Sequence, residues 1–256
     1  MPQTMSGAQT VDRTCTLLKE IGRHAAAGVR LVDLTDTLGL SRPTIHRILR
    51  SLAAFDFVRQ DALTKRYRLG STIYGLGLAA PGPLERLPEL RPLLDALAAR
   101  TGDTAYLMLR KGDEVMCIAR AEGATPIRTY VIEVGAIRPI GTTIAGITML
   151  AALPDDEVDA ILKRTTAAMR LFRNATPDYV RQQIERVRRN GFCISERVYI
   201  EGATGLSAPV RCGEGPPQLA VSMSAISSRV PKSRVKPLAD ELMRTCTQMA
   251  ARLSRP

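Results

Sequence analysis

The chain has 256 residues, of which 45% are hydrophobic. This length suits one large or two ordinary domains with packed cores, and we expect two. The formal net charge of +11 indicates a polyanionic partner, although charge alone does not separate nucleic acid from an acidic membrane surface. No apolar run approaches the length of a membrane span, and the N-terminus MPQTMSGAQT lacks the layout of a secretory signal. We therefore expect a cytoplasmic protein that has no membrane partner.

Metal-binding and catalytic signatures are missing from the sequence. Five cysteines are scattered without a CxxC pair, and the two histidines are His24 and His46. This spacing predicts reduced thiols, no disulfide and no metal site. There is no G-x-S-x-G elbow and no phosphate-binding loop, and Gly75-x-Gly77 lacks the rest of a dinucleotide fingerprint. We expect a protein that is not an enzyme and needs no cofactor.

Two helices joined by a tight turn are predicted near the N-terminus. The apolar residues of Leu31 to Leu38 share one helical face, and Gly39 follows where a left-handed residue ends a helix. Ser41 then suits an N-cap, and Pro43 falls in the first turn of the next helix, where its missing N–H breaks no hydrogen bond. This order is typical of a helix-turn-helix.

The second of these helices is predicted to have a cationic exposed side. Apolar residues at helical spacing define its buried side, namely Ile45, Ile48, Leu49 and Leu52. Between Asp36 and Asp56 the chain has three arginines and no acidic residue, as a surface that approaches phosphates requires. The candidate DNA contacts here are Ser41, Arg42, Pro43, Thr44, His46, Arg47 and Arg50.

A basic hairpin is predicted directly after the second helix. Val58 to Gln60 and Arg66 to Leu69 have strand character, and the polar turn Asp61 to Lys65 joins them. The hairpin adds Lys65, Arg66 and Arg68 to the candidate DNA contacts. A lone basic helix is more often an ordinary solvated face. The adjoining hairpin favours a winged helix-turn-helix on duplex DNA instead.

Several motifs resemble those of the IclR-type bacterial transcription regulators. They are GLSRPTIHRILRSLAAFDFV followed by RYRLG, then GTTIAGITMLAALPDDEV and NGFCISERVYIEGATGLSAPVR. The resemblance covers nearly the whole chain from about residue 10. It implies a DNA-binding domain over residues 8–70, a linker over 71–83 and an effector-binding and oligomerisation domain over 84–256. It also implies a GAF-like or profilin-like ligand pocket in the second domain.

The second domain is predicted to be α+β, with helices packed on one antiparallel sheet. A short helix over 70–80 precedes the breaking Pro81-Gly82-Pro83, and a further helix is expected over 84–100. Alternating segments predict strands over 104–109, 114–119, 127–131, 206–210 and 218–223. The remaining helices are expected over 145–152, 155–165, 177–190 and 232–253.

One candidate effector segment lies at a predicted helix start. Gly141 is followed by Thr142, Thr143, Ile144, Ala145 and Gly146, where unpaired N–H groups and the helix dipole favour a carboxylate. An ordinary Thr-capped helix start is at least as common for such a sequence. The family resemblance favours ligand binding.

Other candidate effector positions come from the resemblance. Ser195, Ala203 and Gly205 match family effector-contact positions. Related proteins often carry an acidic residue at the position of Ser195 and a larger or more reactive side chain at that of Gly205. The small residues here suggest a roomier pocket with aromatic acids among its ligands. Ser222 and Ser224 share one face of a strand and also match ligand-contact positions. Paired serines on a strand more often face solvent. Two arginines, Arg128 and Arg138, are further candidates for a carboxylate clamp, although surface exposure is the default expectation for both.

The expected function is a ligand-responsive DNA-binding transcription regulator that controls genes, catabolic ones first among the candidates, in response to a small organic acid. A homodimer, which could pair further into a tetramer, would place two recognition helices on double-stranded operator DNA. Arg47 would contact a base edge, with Arg42 and Thr44 near phosphate. The alternative is a nonspecific DNA-binding or architectural protein whose second domain serves only for assembly.

Overall fold

The structure is a computed structural model that describes residues 8–24, 27–79, 85–126, 129–172, 175–196 and 201–254. The chain divides into two compact units, residues 1–81 and 82–256. None of the helices in these described ranges has the length and apolarity that a membrane crossing requires.

The first unit is a helix-turn-helix followed by a β-hairpin. Its elements are α1 (Gln9–Arg23), α2 (Leu31–Leu38), α3 (Arg42–Ala54), β1 (Val58–Gln60), β2 (Tyr67–Leu69) and α4 (Ser71–Ala79). Gly39 has φ +61° and its N–H donates to the carbonyl of Thr35, which ends α2. Ser41 caps α3 through a hydrogen bond from the N–H of Thr44. The predicted turn is thereby confirmed.

The core of the first unit is formed where three helices meet the hairpin. Its fully buried side chains include Leu17 and Ile21 of α1, Leu34 of α2 and Ile45 of α3. Val29 forms a two-way backbone bridge with Tyr67, so the segment before α2 adds a third, short edge to the hairpin. The hairpin is therefore fixed to the helices by both packing and backbone hydrogen bonds.

Asp56 ties the end of α3 to the start of α4. Its carboxylate accepts a hydrogen bond from the Ser71 N–H (3.1 Å) and from the Ser71 hydroxyl, and it pairs with Arg59. The hydrogen bonds from Arg59 and then Ser71 hold the pKa of the Asp56 carboxyl well below its usual range. A Cβ on Gly70 would lie 2.0 Å from the carbonyl oxygen of Asp56, so only glycine fits at this position.

The second unit is built on one antiparallel sheet. Its elements are α5 (Leu87–Thr101), β3 (Thr104–Lys111), β4 (Glu114–Ala121), β5 (Ile137–Pro139), α6 (Ile144–Leu150), α7 (Asp155–Met169), α8 (Pro177–Asn190), β6 (Cys193–Glu196), β7 (Ala203–Val210), β8 (Leu219–Ile226) and α9 (Lys232–Leu253). Within the described residues the strand order is β5-β4-β3-β8-β7-β6. The central pair β3 and β8 joins two stretches that are far apart in sequence.

Each face of the sheet carries its own hydrophobic core. Leu107 and Val221 face α5 and α9, whereas Met108 and Ala220 face α6, α7 and α8. The two faces alternate along each strand because successive side chains of a strand point to opposite sides. Both faces are covered by helices, so the α+β architecture predicted for this unit is confirmed.

Some predicted elements differ from the observed ones. The expected strand over 127–131 is wrong for residues 129–131, which form a loop, and residues 127 and 128 lie outside the described residues. This loop is held by the Tyr106 hydroxyl, which donates to the carbonyl of Thr129 (2.7 Å) and accepts from the N–H of Val131 (3.2 Å). The edge strands β5 and β6 were not predicted. The predicted break at residues 81–83 also lies outside the described residues.

Candidate functional site

The exposed side of α3 carries three positive charges. The side chains of Arg42, Arg47 and Arg50 are exposed, as are Pro43 and His46. The acidic side chains Glu20 and Asp56 pair elsewhere in this unit. Among the residues that the structure describes, no acidic side chain pairs with these three arginines. The face is therefore free to approach phosphate.

Ser41 and Thr44 are committed to the start of α3. Ser41 Oγ accepts from the Thr44 N–H (3.4 Å) and lies 2.8 Å from Thr44 Oγ1. Since each hydroxyl already has the other as a partner, their first role is to fix the orientation of the helix end. The arginines that follow are carried on a helix start that is positioned by this cap.

The tip of the hairpin is held by several hydrogen bonds. The Asp61 carboxylate accepts from the N–H groups of Thr64 (2.7 Å) and Leu63 (3.1 Å), and the Thr64 hydrogen bonds lower the pKa of its carboxyl. Lys65 has φ +56°, and its carbonyl accepts from the Gln60 side chain. These hydrogen bonds support the left-handed backbone conformation of Lys65 at the tip.

The basic side chains of the hairpin differ in their surroundings. Lys65 and Arg68 are exposed. Arg66 is half-buried, and its guanidinium donates to the carbonyl of Gly28 (2.8 Å). Arg66, predicted as a DNA contact, is thus placed where it ties the hairpin to the segment before α2.

The second unit contains a cavity of about 270 Å³ on the sheet face that is covered by α6. Nine of the ten predicted effector residues line it: Thr142, Thr143, Ile144, Ala145, Ser195, Ala203, Gly205, Ser222 and Ser224. Sequence reasoning missed Tyr106, Met108, Val131, Ile132, Phe172 and Met223, which also line it. Segments that are up to 118 residues apart in sequence, as Tyr106 and Ser224 are, meet in this cavity.

Gly146 is the predicted effector residue that does not line the cavity. Its N–H donates to Thr143 Oγ1 (3.0 Å), so this donor at the start of α6 is already used. A Cβ at this position would lie 1.8 Å from the carbonyl oxygen of Ile140. Glycine is required here because α6 packs directly on the backbone of the preceding turn.

Gly205 does not enlarge the cavity in the way its small size suggested. A Cβ there would lie 2.8 Å from Ile144 Cδ1 and 3.2 Å from Ser195 Oγ. The space beside this glycine is therefore filled by the Ile144 side chain. The expectation of a roomier pocket at this position is corrected accordingly.

Hydroxyl groups at one end of the cavity form a network. Ser224 Oγ lies 3.0 Å from both the carbonyl oxygen and the hydroxyl of Thr129, and 3.4 Å from the Tyr106 hydroxyl. Burial raises the pKa of Tyr106, so this hydroxyl stays protonated near neutral pH. Tyr106, a member missed by sequence reasoning, therefore connects the sheet, the 129–131 loop and the predicted Ser224.

Arg138 provides positive charge in the lining. Its guanidinium donates to the carbonyl of Ile137 (3.1 Å) and lies 5.5 Å from the ring centroid of Phe172. It has no carboxylate partner within the described part of the chain. The other predicted arginine, Arg128, lies outside the described residues. An arginine with free donors beside an aromatic ring suits a carboxylate that carries an apolar body.

The buried thiols near this sheet are not suited to nucleophilic chemistry. Cys117 and Cys193 are buried, and burial raises the pKa of each to about 12. A thiol attacks as the thiolate, which is scarce near neutral pH at such a pKa. Neither thiol is therefore a candidate nucleophile for a bound ligand.

A winged helix-turn-helix with an exposed basic face, followed by an α+β unit with a cavity, defines a ligand-responsive, DNA-binding transcription regulator. The family model described as the IclR helix-turn-helix domain matches residues 10–62. The model described as bacterial transcriptional regulator IclR C-terminal matches residues 87–252. The chain therefore belongs to the IclR family of bacterial transcription regulators. This membership confirms the predicted family and the prediction of a regulator rather than an enzyme.

Similar proteins span nearly the whole chain. The HTH-type transcriptional regulator XynR of Escherichia coli (strain K12) is 24% identical, covering 97% of this chain and 98% of XynR. The crystal structure of an IclR regulator from Alicyclobacillus acidocaldarius matches with a TM-score of 0.80 at 24% identity, covering 95% of this chain and 98% of that one. An IclR homologue of Microbacterium hydrocarbonoxydans, crystallised with 4-hydroxybenzoate, matches with a TM-score of 0.76 at 18% identity, covering 94% and 98%.

Proposed function

We propose that this regulator binds its operator through α3 and the hairpin, and that a small organic acid in the cavity changes its affinity for that DNA. The observation that carries the proposal is Arg138, a cation without a carboxylate partner among the described residues, in the wall of a mostly apolar cavity. In this proposal residues 8–70 bind DNA, residues 71–83 link the two parts, and residues 84–256 bind the effector and assemble the oligomer.

The DNA half of the proposal assigns separate tasks to the basic groups. Arg47, exposed at the middle of α3, contacts a base edge in the major groove, while Arg42 contacts phosphate. Lys65 and Arg68 contact phosphate beside the groove. A homodimer would place two such units on successive major grooves of a pseudopalindromic site.

The effector half assigns the acid to two groups. Arg138 binds the carboxylate, because its planar fork of donors matches two carboxylate oxygens. Phe172 and the apolar lining contact the body of the ligand. An aromatic acid is the first class to test, since the Microbacterium homologue was crystallised with 4-hydroxybenzoate.

The test of the effector half is calorimetric titration of the full chain with 4-hydroxybenzoate and other small carboxylates. Loss of a charge-assisted contact of about 1.5–3 kcal/mol predicts that Arg138→Ala weakens binding at least tenfold. Arg110→Ala is the matched control, because Arg110 is also a half-buried strand arginine that donates to a backbone carbonyl. Equal losses in both variants would contradict the assignment.

The test of the DNA half measures the affinity of the full chain for two duplexes: the region upstream of the regulator's own gene and a scrambled sequence of equal composition. An operator-binding regulator should prefer its site by about three or more orders of magnitude. The DNA affinity of an architectural protein would depend on salt concentration but hardly on DNA sequence. A preference near unity would favour that alternative.

A further inference from the structure

Behind the cavity wall lies a cluster of hydroxyl groups that the proposed function leaves unexplained. Ser207 of β7 is completely buried and pairs in register with Ser222 of β8. Ser222 lines the cavity, whereas Ser207 does not. Their Oγ atoms lie 2.8 Å apart, and Ser207 Oγ is also 3.4 Å from Thr148 Oγ1 on α6.

The protons of this cluster have defined directions. Ser207 Oγ donates to the carbonyl of Val221 (3.0 Å), which can only accept. Thr148 Oγ1 donates its proton to the carbonyl of Ala145 (2.7 Å). Since a serine hydroxyl has a single proton, Ser207 has none left for Ser222. Ser222 therefore donates to Ser207, and what it turns toward the cavity is a lone pair.

Three other groups in the wall can donate, whereas Thr142 Oγ1 gives its proton to the carbonyl of Pro139 (2.7 Å) and resembles Ser222. Thr143 Oγ1 accepts from the Gly146 N–H (3.0 Å), and Ser195 Oγ accepts from the Gly205 N–H (3.3 Å), so both keep a proton to donate. Arg138 can only donate. The Arg138 strand is three strand steps from the Ser222 strand in the order β5-β4-β3-β8. The charged donor Arg138 and the acceptor Ser222 thus lie on different parts of the wall, while Ser195 lies on β6, on the other side of β8.

We propose that the cavity selects acids that carry a second group able to donate a hydrogen bond, such as a hydroxyl. Ser222 accepts that hydrogen bond, and Ser207 is the positioning residue that keeps the Ser222 proton away from the ligand. This inference rests on the proposed function, because it needs an acid in the cavity. A ligand without the donor would leave the Ser222 lone pair buried and unpaired, which should weaken binding by about ten- to a hundredfold.

The experiment titrates the full chain with three acids of the same frame: 4-hydroxybenzoate, benzoate and 4-formylbenzoate. The hydroxyl can donate, the formyl oxygen can only accept, and benzoate offers neither. Wild-type protein should bind 4-hydroxybenzoate tightest and 4-formylbenzoate no better than benzoate. Equal binding of all three acids would overturn the inference and leave acid binding intact. Binding of none would overturn both.

Ser207→Ala tests the positioning role. It frees the Ser222 proton, so 4-formylbenzoate should improve relative to benzoate while 4-hydroxybenzoate loses part of its advantage. If Ser207 had only a structural role, Ser207→Ala would weaken the binding of all three acids by the same factor. That result would overturn the assignment of Ser207. Ser222→Ala provides a second variant, in which the advantage of 4-hydroxybenzoate should disappear. Thr165→Ala, which removes a buried hydroxyl outside the cavity lining, should leave the order of the acids unchanged.

Discussion

At the scale of single residues, the two basic contacts proposed on α3 should respond differently to DNA sequence. Replacing Arg47 by alanine should cost about 1–3 kcal/mol on the operator and relax the preference at one base pair, because a bidentate contact to guanine is lost. Arg42→Ala should weaken binding to all DNA sequences by the same factor. Titrations of operator variants with single base changes measure both effects. Uniform weakening by Arg47→Ala would refute its base contact.

Gly146 gives a stability prediction at the same scale. Alanine at this position would place a Cβ 1.8 Å from the Ile140 carbonyl oxygen, so α6 must move away from the backbone beneath it. Overpacking of this kind costs about 1–3 kcal/mol in the free energy of unfolding, which chemical denaturation measures. Gly112→Ala serves as a comparison, since its Cβ would meet no neighbour and only its φ of +63° would oppose the change. Unchanged stability of Gly146→Ala would contradict the tight contact.

The sequence identified individual site residues only where the side chain itself, or its match to a family position, indicated ligand binding. Ser195 and Ser222 were found through the family resemblance, and Arg138 through the chemistry of its side chain. Tyr106 and Phe172 could not be found, because an apolar side chain that lines a cavity has the same pattern as one that packs in a core. Gly146 was misassigned for a related reason, since the sequence does not show whether an N–H group at a helix start is already occupied.

At the scale of elements, the hairpin should act on DNA through charge alone. Lys65→Ala should weaken binding to every duplex and lower the slope of log affinity against log salt by about one contact. Arg68→Ala should behave in the same way. Arg66→Ala should also lower the free energy of unfolding, because Arg66 bonds the carbonyl of Gly28. An unchanged salt slope in Lys65→Ala would remove the hairpin tip from the DNA interface.

The junction between α3 and α4 gives a pH prediction. The Asp56 carboxyl has a folded pKa below its unfolded value, so its stabilising effect is complete above the unfolded pKa, near 4, and is lost as pH falls through the folded pKa. Asp56→Asn should therefore be less stable than wild type at neutral pH, and the difference should shrink in acid. Urea denaturation between neutral pH and pH 3 tests this. A difference that grows as pH falls would contradict it.

Elements with local signals were predicted well, and elements fixed by distant contacts were not. Helix α2 was predicted with its observed bounds, and the start of α3 was also predicted, because Gly39, Ser41 and Pro43 mark these boundaries locally. Strand β5 has only three residues and owes its existence to pairing with β4. The strand predicted over 127–131 is wrong at residues 129–131, where a loop holds apolar side chains such as Val131 against the cavity instead of in a sheet.

At the scale of the whole molecule, one chain contains both a DNA-binding unit and a cavity for the proposed ligand. Such coupling requires that the acid bind differently to the DNA-bound and the free states, and the effect must be reciprocal. This coupling distinguishes a regulator from an architectural protein, because an architectural protein would bind DNA independently of any ligand in the cavity.

The most direct measurement is the affinity of the full chain for its upstream DNA with and without a saturating acid that calorimetry has shown to bind. The account predicts that the acid changes this affinity by about 5- to 150-fold, the usual range of allosteric coupling. It also predicts that Arg138→Ala needs an acid concentration at least tenfold higher to produce the same change. An affinity for DNA that stays the same while the acid occupies the wild-type cavity would contradict the central claim.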